Sequence, residues 1–528
     1  MCSKKAIVIA GALALVAANI TYADETSDLK AKFEALQKQM EALKSQLDSV
    51  TAQMQKQQLE QKQMQKAPQA AQPQAQQAQA APTIKLKDGD GITFEYGANA
   101  VSIYGNFDVS LDTTTKGLAG YYPSSGDGPV GKVGYMPAIS TNLSYIGVRG
   151  KHGLGNGLDF VYQLETQLDI SATSGTTNTN SNNDTTVKGA LTSRNSYIGL
   201  HFPDAGSIKI GKTDAPYKTS TARMNAFSGM LGDYSVVMGN TGGDNRVEFG
   251  TRLDHAIWYE SPNLSGFTFN ALYATAQNRS NDNSLIAVGE SSCAGGNAPG
   301  SGALPPTCND GSYGSAYSAN IAYQGGSFYV TAAYEMHKDV NRTSDLANLD
   351  PNDIGNEHAA KFGVQWTLPT HTTLNAVYED MKRSVPGYLE YQNERSRTGY
   401  WLAVSQMITG QDSVHFGVAH ANTTPGDPGQ HNTSGGANPD NVANMYTFAY
   451  KHAFDKHAMW YFDMAMTKNH RDAHYDLGAG GRAVTTDCHD GSALAAYDPT
   501  TGTVTGSGPR CYAGGELKGA SVGLKYQF

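Results

Sequence analysis

The side chains that could do covalent or metal chemistry are spread thinly along this sequence. Its 14 histidines are scattered, whereas a nucleophilic enzyme needs a serine or similar group beside a histidine and an orienting partner. The stretch NHRDAHYD carries His470 and His474, and DGDG at 88–91 carries two aspartates. Such stretches are usually a polar loop and a simple turn. We therefore predict no catalytic site, no metal and no cofactor.

The first residues predict export. Lys4 and Lys5 precede an apolar run over 6–18, and a small-residue site follows, ending at Ala23. This is the pattern of a signal peptide, residues 1–23. The alternative, a retained anchor, is disfavoured because the run is too short to span a bilayer.

Four cysteines remain after the signal peptide: Cys293, Cys308, Cys488 and Cys511. In an oxidising compartment they predict disulfides, and nearest neighbours would give Cys293–Cys308 and Cys488–Cys511. Four cysteines permit three pairings, so the connectivity stays open. Metal binding is the weaker alternative because no CxxC pair occurs.

Composition excludes some partners and classes. The formal net charge of −9 argues against nucleic acid. Only 39% of the residues are hydrophobic, too few for a helical membrane protein. A membrane β-barrel stays compatible, because it places apolar residues at every second position and keeps the mean hydropathy low.

The first segment after the signal peptide has a helical pattern. A seven-residue apolar period within residues 24–66 predicts a coiled coil with partner helices; its seam is Leu29, Phe33, Leu36, Met40, Leu43, Leu47, Val50 and Met54. A lone amphipathic helix is the alternative. Residues 67–82 contain only Ala, Pro and Gln, which predicts a flexible linker. Residues 83–99 predict a short hairpin.

From 100 to 528 the pattern becomes two-residue alternation, as in GFTFNALYATA and SFYVTAAYE. Sixteen segments qualify as strands: 100–113, 139–150, 155–171, 191–202, 206–213, 251–261, 266–277, 314–324, 327–338, 357–368, 371–382, 397–409, 412–421, 443–453, 457–469 and 515–528. Their connections alternate between seven tight turns and eight long loops. This asymmetry is typical of an all-β transmembrane fold, a 16-stranded antiparallel barrel with short periplasmic turns and long extracellular loops. Sixteen strands enclose an aqueous lumen.

The barrel region resembles the Gram-negative outer-membrane porin family, in particular the trimeric general porins of the Neisseria and Bordetella type. The resemblance rests on VSIYGNFDVSLD, SYIGVRGKHGLGNGLDFVYQLE, SRNSYIGLHFPDAGSIKIGK, LDHAIWYESPNLSGFTFNALYA and the terminal LKYQF. It implies a homotrimer in the outer membrane, in contact with lipid and lipopolysaccharide, that passes ions and small hydrophilic solutes passively and is not an enzyme. The N-terminal coiled coil would then lie in the periplasm, where it would reinforce the trimer or contact peptidoglycan.

The resemblance also implies a third long loop folded into the lumen, here residues 213–250. Its candidate pore-facing acids are Asp233, Asp244 and Glu248. The facing basic residues, carried over by motif position, are Arg149, Arg194 and Arg252. Strict alternation agrees for Arg149 if Ile146 and Val148 face lipid, and for Arg252 if Leu253, Ile257 and Tyr259 face lipid. Arginines opposite carboxylates would set up a transverse field that orients solutes.

Three alternative functions stay open from the sequence. The channel could be specific for small carboxylates or sugars, and nothing in the residues separates this from a general channel. The long loops could serve as an adhesin or receptor. An outer-membrane lipase is the least favoured, because the histidines are scattered.

Overall fold

The computed structural model describes residues 83–87, 91–115, 122–123, 135–168, 170–171, 194–239, 249–275, 315–340, 355–384, 396–424, 440–470, 473, 475–478, 496–498, 503–505, 512–513 and 515–528. The chain divides into two units, Met1–Gln79 and Ala80–Phe528, and every described residue belongs to the second. The expected signal peptide, coiled coil and linker lie outside the described residues. So do all four cysteines, Asp244 and Glu248.

The described residues are almost entirely strand. The strands are β1 Thr83–Lys87, β2 Gly91–Tyr96, β3 Asn99–Thr115, β4 Tyr122–Pro123, β5 Tyr135–Thr141, β6 Tyr145–Gly155, β7 Leu158–Gln167, β8 Ser196–Phe202, β9 Gly206–Asp214, β10 Arg252–Glu260, β11 Phe267–Thr275, β12 Ser315–Gly325, β13 Phe328–Val340, β14 Gly355–Thr367, β15 Thr372–Arg383, β16 Arg397–Met407, β17 Asp412–Ala421, β18 Ala443–Ala453, β19 Ala458–Asn469, β20 Ala496–Asp498, β21 Thr503–Thr505, β22 Tyr512–Ala513 and β23 Gly515–Gln527. One α-helix, α1 Pro216–Ser220, and the 3-10 turns Ala222–Met224 and Tyr234–Val236 lie between β9 and β10.

The wall is a closed antiparallel barrel of sixteen strands within the described residues. Strands that follow one another in sequence pair from β6 to β19, β19 pairs with β23, and β23 pairs with β3 to close the ring. Strands β5 and β6 pair with the upper and lower parts of one edge of β3, so together they form one wall strand. The predicted antiparallel barrel and its strand number are confirmed.

Side chains alternate between the two faces of the wall. In β12, Tyr317, Ile321 and Tyr323 are exposed, whereas Ala316 and Ser318 are buried. A soluble barrel would bury its large apolar side chains and expose the polar ones. The reverse arrangement is that of a wall whose outer face meets lipid.

The predicted strand over 139–150 is interrupted. Leu143 has a φ of 56°, which separates β5 from β6. The side-chain amide of Asn142 points to the inner face, where it donates to Asp108 Oδ1 at 3.1 Å and Ser110 Oγ at 3.0 Å. These buried hydrogen bonds hold the irregular backbone, which sequence alternation alone could not reveal.

The connections at one rim are short and those at the other are long. The short turns are 156–157, 203–205, 261–266, 326–327, 368–371, 408–411 and 454–457. Two of the long connections matter for the site: L3, residues 215–251 between β9 and β10, and L8, residues 470–514 between β19 and β23.

A hairpin precedes the barrel and extends its wall. Strand β1 pairs with β2, and β2 pairs with residues 99–103 of β3. The same edge of β3 carries β23 higher up, over 106–114. Strands β2 and β23 therefore lie end to end along one edge of β3.

Candidate functional site

Loop L3 folds back against the inner face of the wall. Helix α1 begins with Pro216, which favours the first helical position. Tyr217 is fully buried, and its backbone N–H donates to Ser318 Oγ of β12 at 2.9 Å. The loop therefore turns inward directly after β9.

The underside of L3 is apolar and covers an apolar patch of the wall. Trp401 of β16 is fully buried, while its neighbours Tyr400 and Leu402 are exposed, so the indole points to the inner face. The Tyr234 ring stacks on this indole with centroids 5.1 Å apart, and Phe227 meets it edge-on at 6.0 Å. Indole Nε1 also donates to the carbonyl of Met224 at 3.2 Å. Burial of these rings fixes L3 to β16.

Two wall carboxylates accept hydrogen bonds from L3. Glu379 of β15 accepts from the backbone N–H of Gly239 and from the Tyr217 hydroxyl, both at 2.6 Å. Glu335 of β13 accepts from the backbone N–H of Gly250 at 3.0 Å. Burial, and then the adjacent Glu379 carboxylate, raise the pKa of Tyr217 well above its usual value. The phenol therefore stays protonated and remains a donor.

Asp233 serves the fold of L3. It is 4% exposed, and its carboxylate accepts from Asn225 Nδ2, the N–H of Gly229, and both the N–H and hydroxyl of Ser235. The expectation that this carboxylate lines the pore is corrected: it caps the 3-10 turn Tyr234–Val236. An N-cap aspartate accepts from the turn that follows it, and this takes up its hydrogen-bonding capacity.

Arg149 and Arg194 lie on the inner face of the wall opposite L3. The Arg149 guanidinium sits 4.7 Å over the Tyr104 ring, and the Tyr104 hydroxyl donates to Glu165 Oε2 at 2.9 Å. Arg194 forms an ion pair with Glu165 and sits 4.7 Å over the Tyr145 ring. The structure thus brings these two predicted arginines together around one buried carboxylate.

Arg252 lies at the root of L3. Its Nε donates to Asn195 Oδ1 at 2.7 Å, and its Nη2 is 3.2 Å from Asp214 Oδ1. Lys218 of α1 pairs with the same carboxylate at 2.8 Å. Asp214 at the end of β9 therefore joins Arg252 of β10 to Lys218 of α1.

Strict alternation is wrong at one point of β10. A bulge lies between Leu253 and Ala256, and His255 has a φ of 49°. Leu253 is consequently 1% exposed and packs with Ala256 and Trp258, although alternation predicted that it faces lipid. Ile257 is exposed, as expected.

Several site residues escaped the sequence reasoning. Glu335, Glu379 and Trp401 each sit in an ordinary alternating strand, so local pattern gives no sign that a distant loop will cover them. Lys209, which pairs with Glu260 at 2.6 Å, was detectable as an inward charge on β9. The spacing Gly519-Ala-Ser-Val-Gly523 has the form of a nucleophile elbow, but Ser521 lies within β23 and not at a strand-to-helix turn.

No helix in the described part of the chain is long and apolar enough to cross a membrane. Among the described residues, no cluster of three or more histidine, cysteine or acidic side chains could hold a metal ion. His470 pairs with Asp440 at 2.8 Å, and His474 lies outside the described residues.

A closed sixteen-stranded wall with an apolar outer face and a loop on its inner face defines an outer-membrane β-barrel. The chain belongs to the Gram-negative porin family, whose family model matches residues 69–472. It is 28% identical over 165 residues to the major outer membrane protein P.IB of Neisseria gonorrhoeae, covering 31% of this chain and 41% of that protein. It is 29% identical over 148 residues to an outer membrane porin protein of Bordetella pertussis, covering 28% of this chain and 34% of that one.

The matches thus span between about one third and two fifths of the length of these curated relatives. Among solved structures, the anion-selective porin from Comamonas acidovorans is similar in fold, with a TM-score of 0.52 and 16% identity over 81% of this chain and all of that one.

Proposed function

We propose that the protein is an outer-membrane porin through which ions and small hydrophilic solutes diffuse passively, and that L3 narrows its lumen. The observation that carries this proposal is the course of L3, which is fastened to the inner face of β12 to β16 by Ser318, Glu335, Glu379 and Trp401. The loop occupies one side of the lumen. The space for solute lies between L3 and the opposite wall.

We propose that charged side chains line this space. Arg149 and Arg194 lie with Glu165 on the wall across from L3. Lys209, Lys212 and Arg252, paired with Glu260, Asp254 and Asp214, lie on β9 and β10, the two strands that L3 joins. In a narrow wet channel such groups act on a passing solute through weakly screened fields. Because acids compensate most of the basic charge, we propose a weak preference for anions. The loop acids Asp244 and Glu248 stay predictions.

The outer face supports assembly into a homotrimer. Exposed side chains on β7 to β10 are mostly aliphatic: Leu164, Ile198, Leu200, Ile208, Ile210 and Ile257. On β11 to β18 they are mostly aromatic: Phe267, Tyr273, Tyr317, Tyr323, Phe328, Tyr334, Trp366, Tyr378, Tyr400 and Tyr446. Aromatic belts mark membrane–water interfaces. The aromatic side therefore suits lipid and lipopolysaccharide, and the aliphatic side suits a second protomer.

The N-terminal heptads fit this assembly. In the proposed trimer they form a parallel three-helix bundle in the periplasm, joined to the barrel through the linker and the β1–β2 hairpin. Such a bundle would strengthen association by adding a second contact between the same protomers. Contact of the bundle with peptidoglycan stays a prediction.

Single-channel recording tests the proposal. Purified full-length protein, added to a planar lipid bilayer in KCl, should raise the conductance in discrete steps. These steps should persist under applied voltage and should need no energy source. A heat-denatured sample of the same preparation is the control and should produce none. If folded protein gives no ion-conducting steps, the porin assignment of this chain is wrong.

A further inference from the structure

A second loop also enters the lumen. Residues 473 and 475–478 of L8 are here named the L8 root. Ala473, Tyr475 and Leu477 are all fully buried. A segment that leaves the top of β19 would be exposed if it continued outward. Its burial places it inside the wall.

The wall fixes the L8 root by polar contacts. The side chain of Asn469 donates from Nδ2 to the Tyr475 carbonyl at 2.9 Å, and its Oδ1 accepts from the Tyr475 N–H at 3.0 Å. Thr467 Oγ1 donates to the Asp476 carbonyl at 2.9 Å. Asn469 and Thr467 of β19 thus supply the hydrogen bonds that a neighbouring strand would otherwise give to the backbone of the root. These bonds determine the path of that backbone.

The root meets the tip of L3. The backbone N–H of Gly232 donates to the Leu477 carbonyl at 2.8 Å, and Leu231 forms a β-bridge with Gly478. Leu231 and Leu477 also pack together with Ala465 and Leu517 of the wall. The tip of an inserted loop would be wet in an open lumen, yet Leu231 is 1% exposed.

The same root reaches the middle of L3. Tyr475 belongs to the apolar cluster that contains Trp401 and Tyr234, and the Arg397 guanidinium lies 5.1 Å over its ring. One short segment therefore contacts both the tip of L3 and the patch on which L3 rests.

We propose that the L8 root is a second constriction element: it fills part of the lumen and positions the tip of L3, so that it helps determine the size limit for hydrophilic solutes. This inference rests on the proposed channel function. The residues that carry it are Tyr475 and Leu477, with Asn469 as a positioning residue.

The first experiment removes the apolar contacts. Full-length Tyr475→Ser/Leu477→Ser should show a rise in single-channel conductance of roughly 1.5-fold or more, with noisier open levels, because conductance follows the narrowest cross-section. The matched control is Leu494→Ser/Tyr497→Ser, the same two residue types further along L8, and it should conduct like the wild type. An unchanged conductance in the folded first variant, or an equal rise in the control, would overturn the proposal.

A second experiment does not depend on conductance. In a variant with Cys293, Cys308, Cys488 and Cys511 changed to Ser, the pair Leu231→Cys/Gly478→Cys should cross-link on mild oxidation, since bridge partners have Cα atoms about 4.5–5.5 Å apart, within disulfide range. Folded protein that does not cross-link would refute the loop contact. If instead the wild type never conducts but the cross-link forms, the channel assignment fails while the loop contact stands.

Discussion

The hydroxyl of Tyr217 donates a 2.6 Å hydrogen bond to the carboxylate of Glu379, two residues 162 positions apart in the chain. The other carboxylate oxygen accepts from the N–H of Gly239, the last residue of the described stretch 215–239 of L3. One buried acid therefore joins the outgoing and returning halves of the loop to β15.

Removal of this acid should loosen L3. In Glu379→Ala, the Tyr217 hydroxyl and the Gly239 N–H lose their acceptor, and each orphaned buried group costs about 1–3 kcal/mol. We expect a lower urea midpoint in detergent and frequent flicker between current levels. Glu379→Gln keeps an acceptor oxygen, so it should partly restore the urea midpoint and partly suppress the flicker. The control is Asp380→Ala, the next residue, which is exposed; if it flickers equally, the effect is not due to the tether.

Arg149 should contribute to ion selectivity. It lies on the inner face over Tyr104, beside the ion pair of Arg194 and Glu165. Arg149→Ala should therefore shift the reversal potential in a KCl gradient toward cations. Lys382→Ala removes the same charge from an exposed position of β15 and should leave the reversal potential unchanged. Equal shifts in the two variants would count against a pore-lining Arg149.

Arg194 should act more strongly than Arg149. Arg194→Ala removes a cation and also leaves the buried Glu165 carboxylate without its ion-pair partner. The shift toward cations should then exceed that of Arg149→Ala. The double variant Arg194→Ala/Glu165→Gln removes both charges and should return the reversal potential most of the way to the wild-type value. If the double variant behaves like the single one, the ion pair does not influence the lumen.

Trp401 should dominate the stability of the inserted loop. Loss of its fully buried indole in Trp401→Ala should cost about 3–5 kcal/mol. The measurement is the midpoint of urea unfolding, monitored by the difference in gel mobility between the folded and the heat-denatured protein. Trp366→Ala, at a 40% exposed outer position, is the matched control and should cost much less.

The heptad segment should strengthen the trimer. Leu36→Asn/Leu43→Asn places two amides in the predicted seam and should lower the temperature at which the trimer dissociates, because seam positions need apolar contact. Gln39→Asn/Gln46→Asn changes off-seam positions of the same helix and should not. Deletion of 24–82 gives the upper limit of the effect. An unchanged dissociation temperature after that deletion would show that the segment is no oligomer clamp.

The wall of this barrel could be predicted from the sequence because its rule is local. Each strand needs apolar residues at every second position and turn residues at its ends, and both are readable within a dozen residues. The prediction of the wall fails where an irregularity or a contact from another part of the chain interrupts the two-residue alternation. Leu253 is moved to the inner face by a bulge, and Leu143 interrupts a predicted strand beside the buried amide of Asn142.

The interior was much less predictable. Resemblance located L3 and the inward arginines, but the role of Asp233 depends on four donors within the loop. The attachment of L3 to Glu379 and Trp401 joins positions more than 130 residues apart. Contacts between such distant positions leave no periodic pattern in the sequence. The burial of the L8 root likewise could not be predicted from its neighbouring residues.

The end-to-end arrangement of β2 and β23 has a consequence for how the ring is sealed. Phe528 exchanges backbone hydrogen bonds with Gly105, and β2 starts on the same edge of β3 just below, with Ile92 opposite Ile103. Gly91 is already so close to this edge that an added Cβ would lie 2.1 Å from the Ile103 carbonyl oxygen. A last strand that slid two residues further would collide with the hairpin. The N-terminal hairpin is thus a mechanical stop that prevents the last strand from sliding toward it along β3.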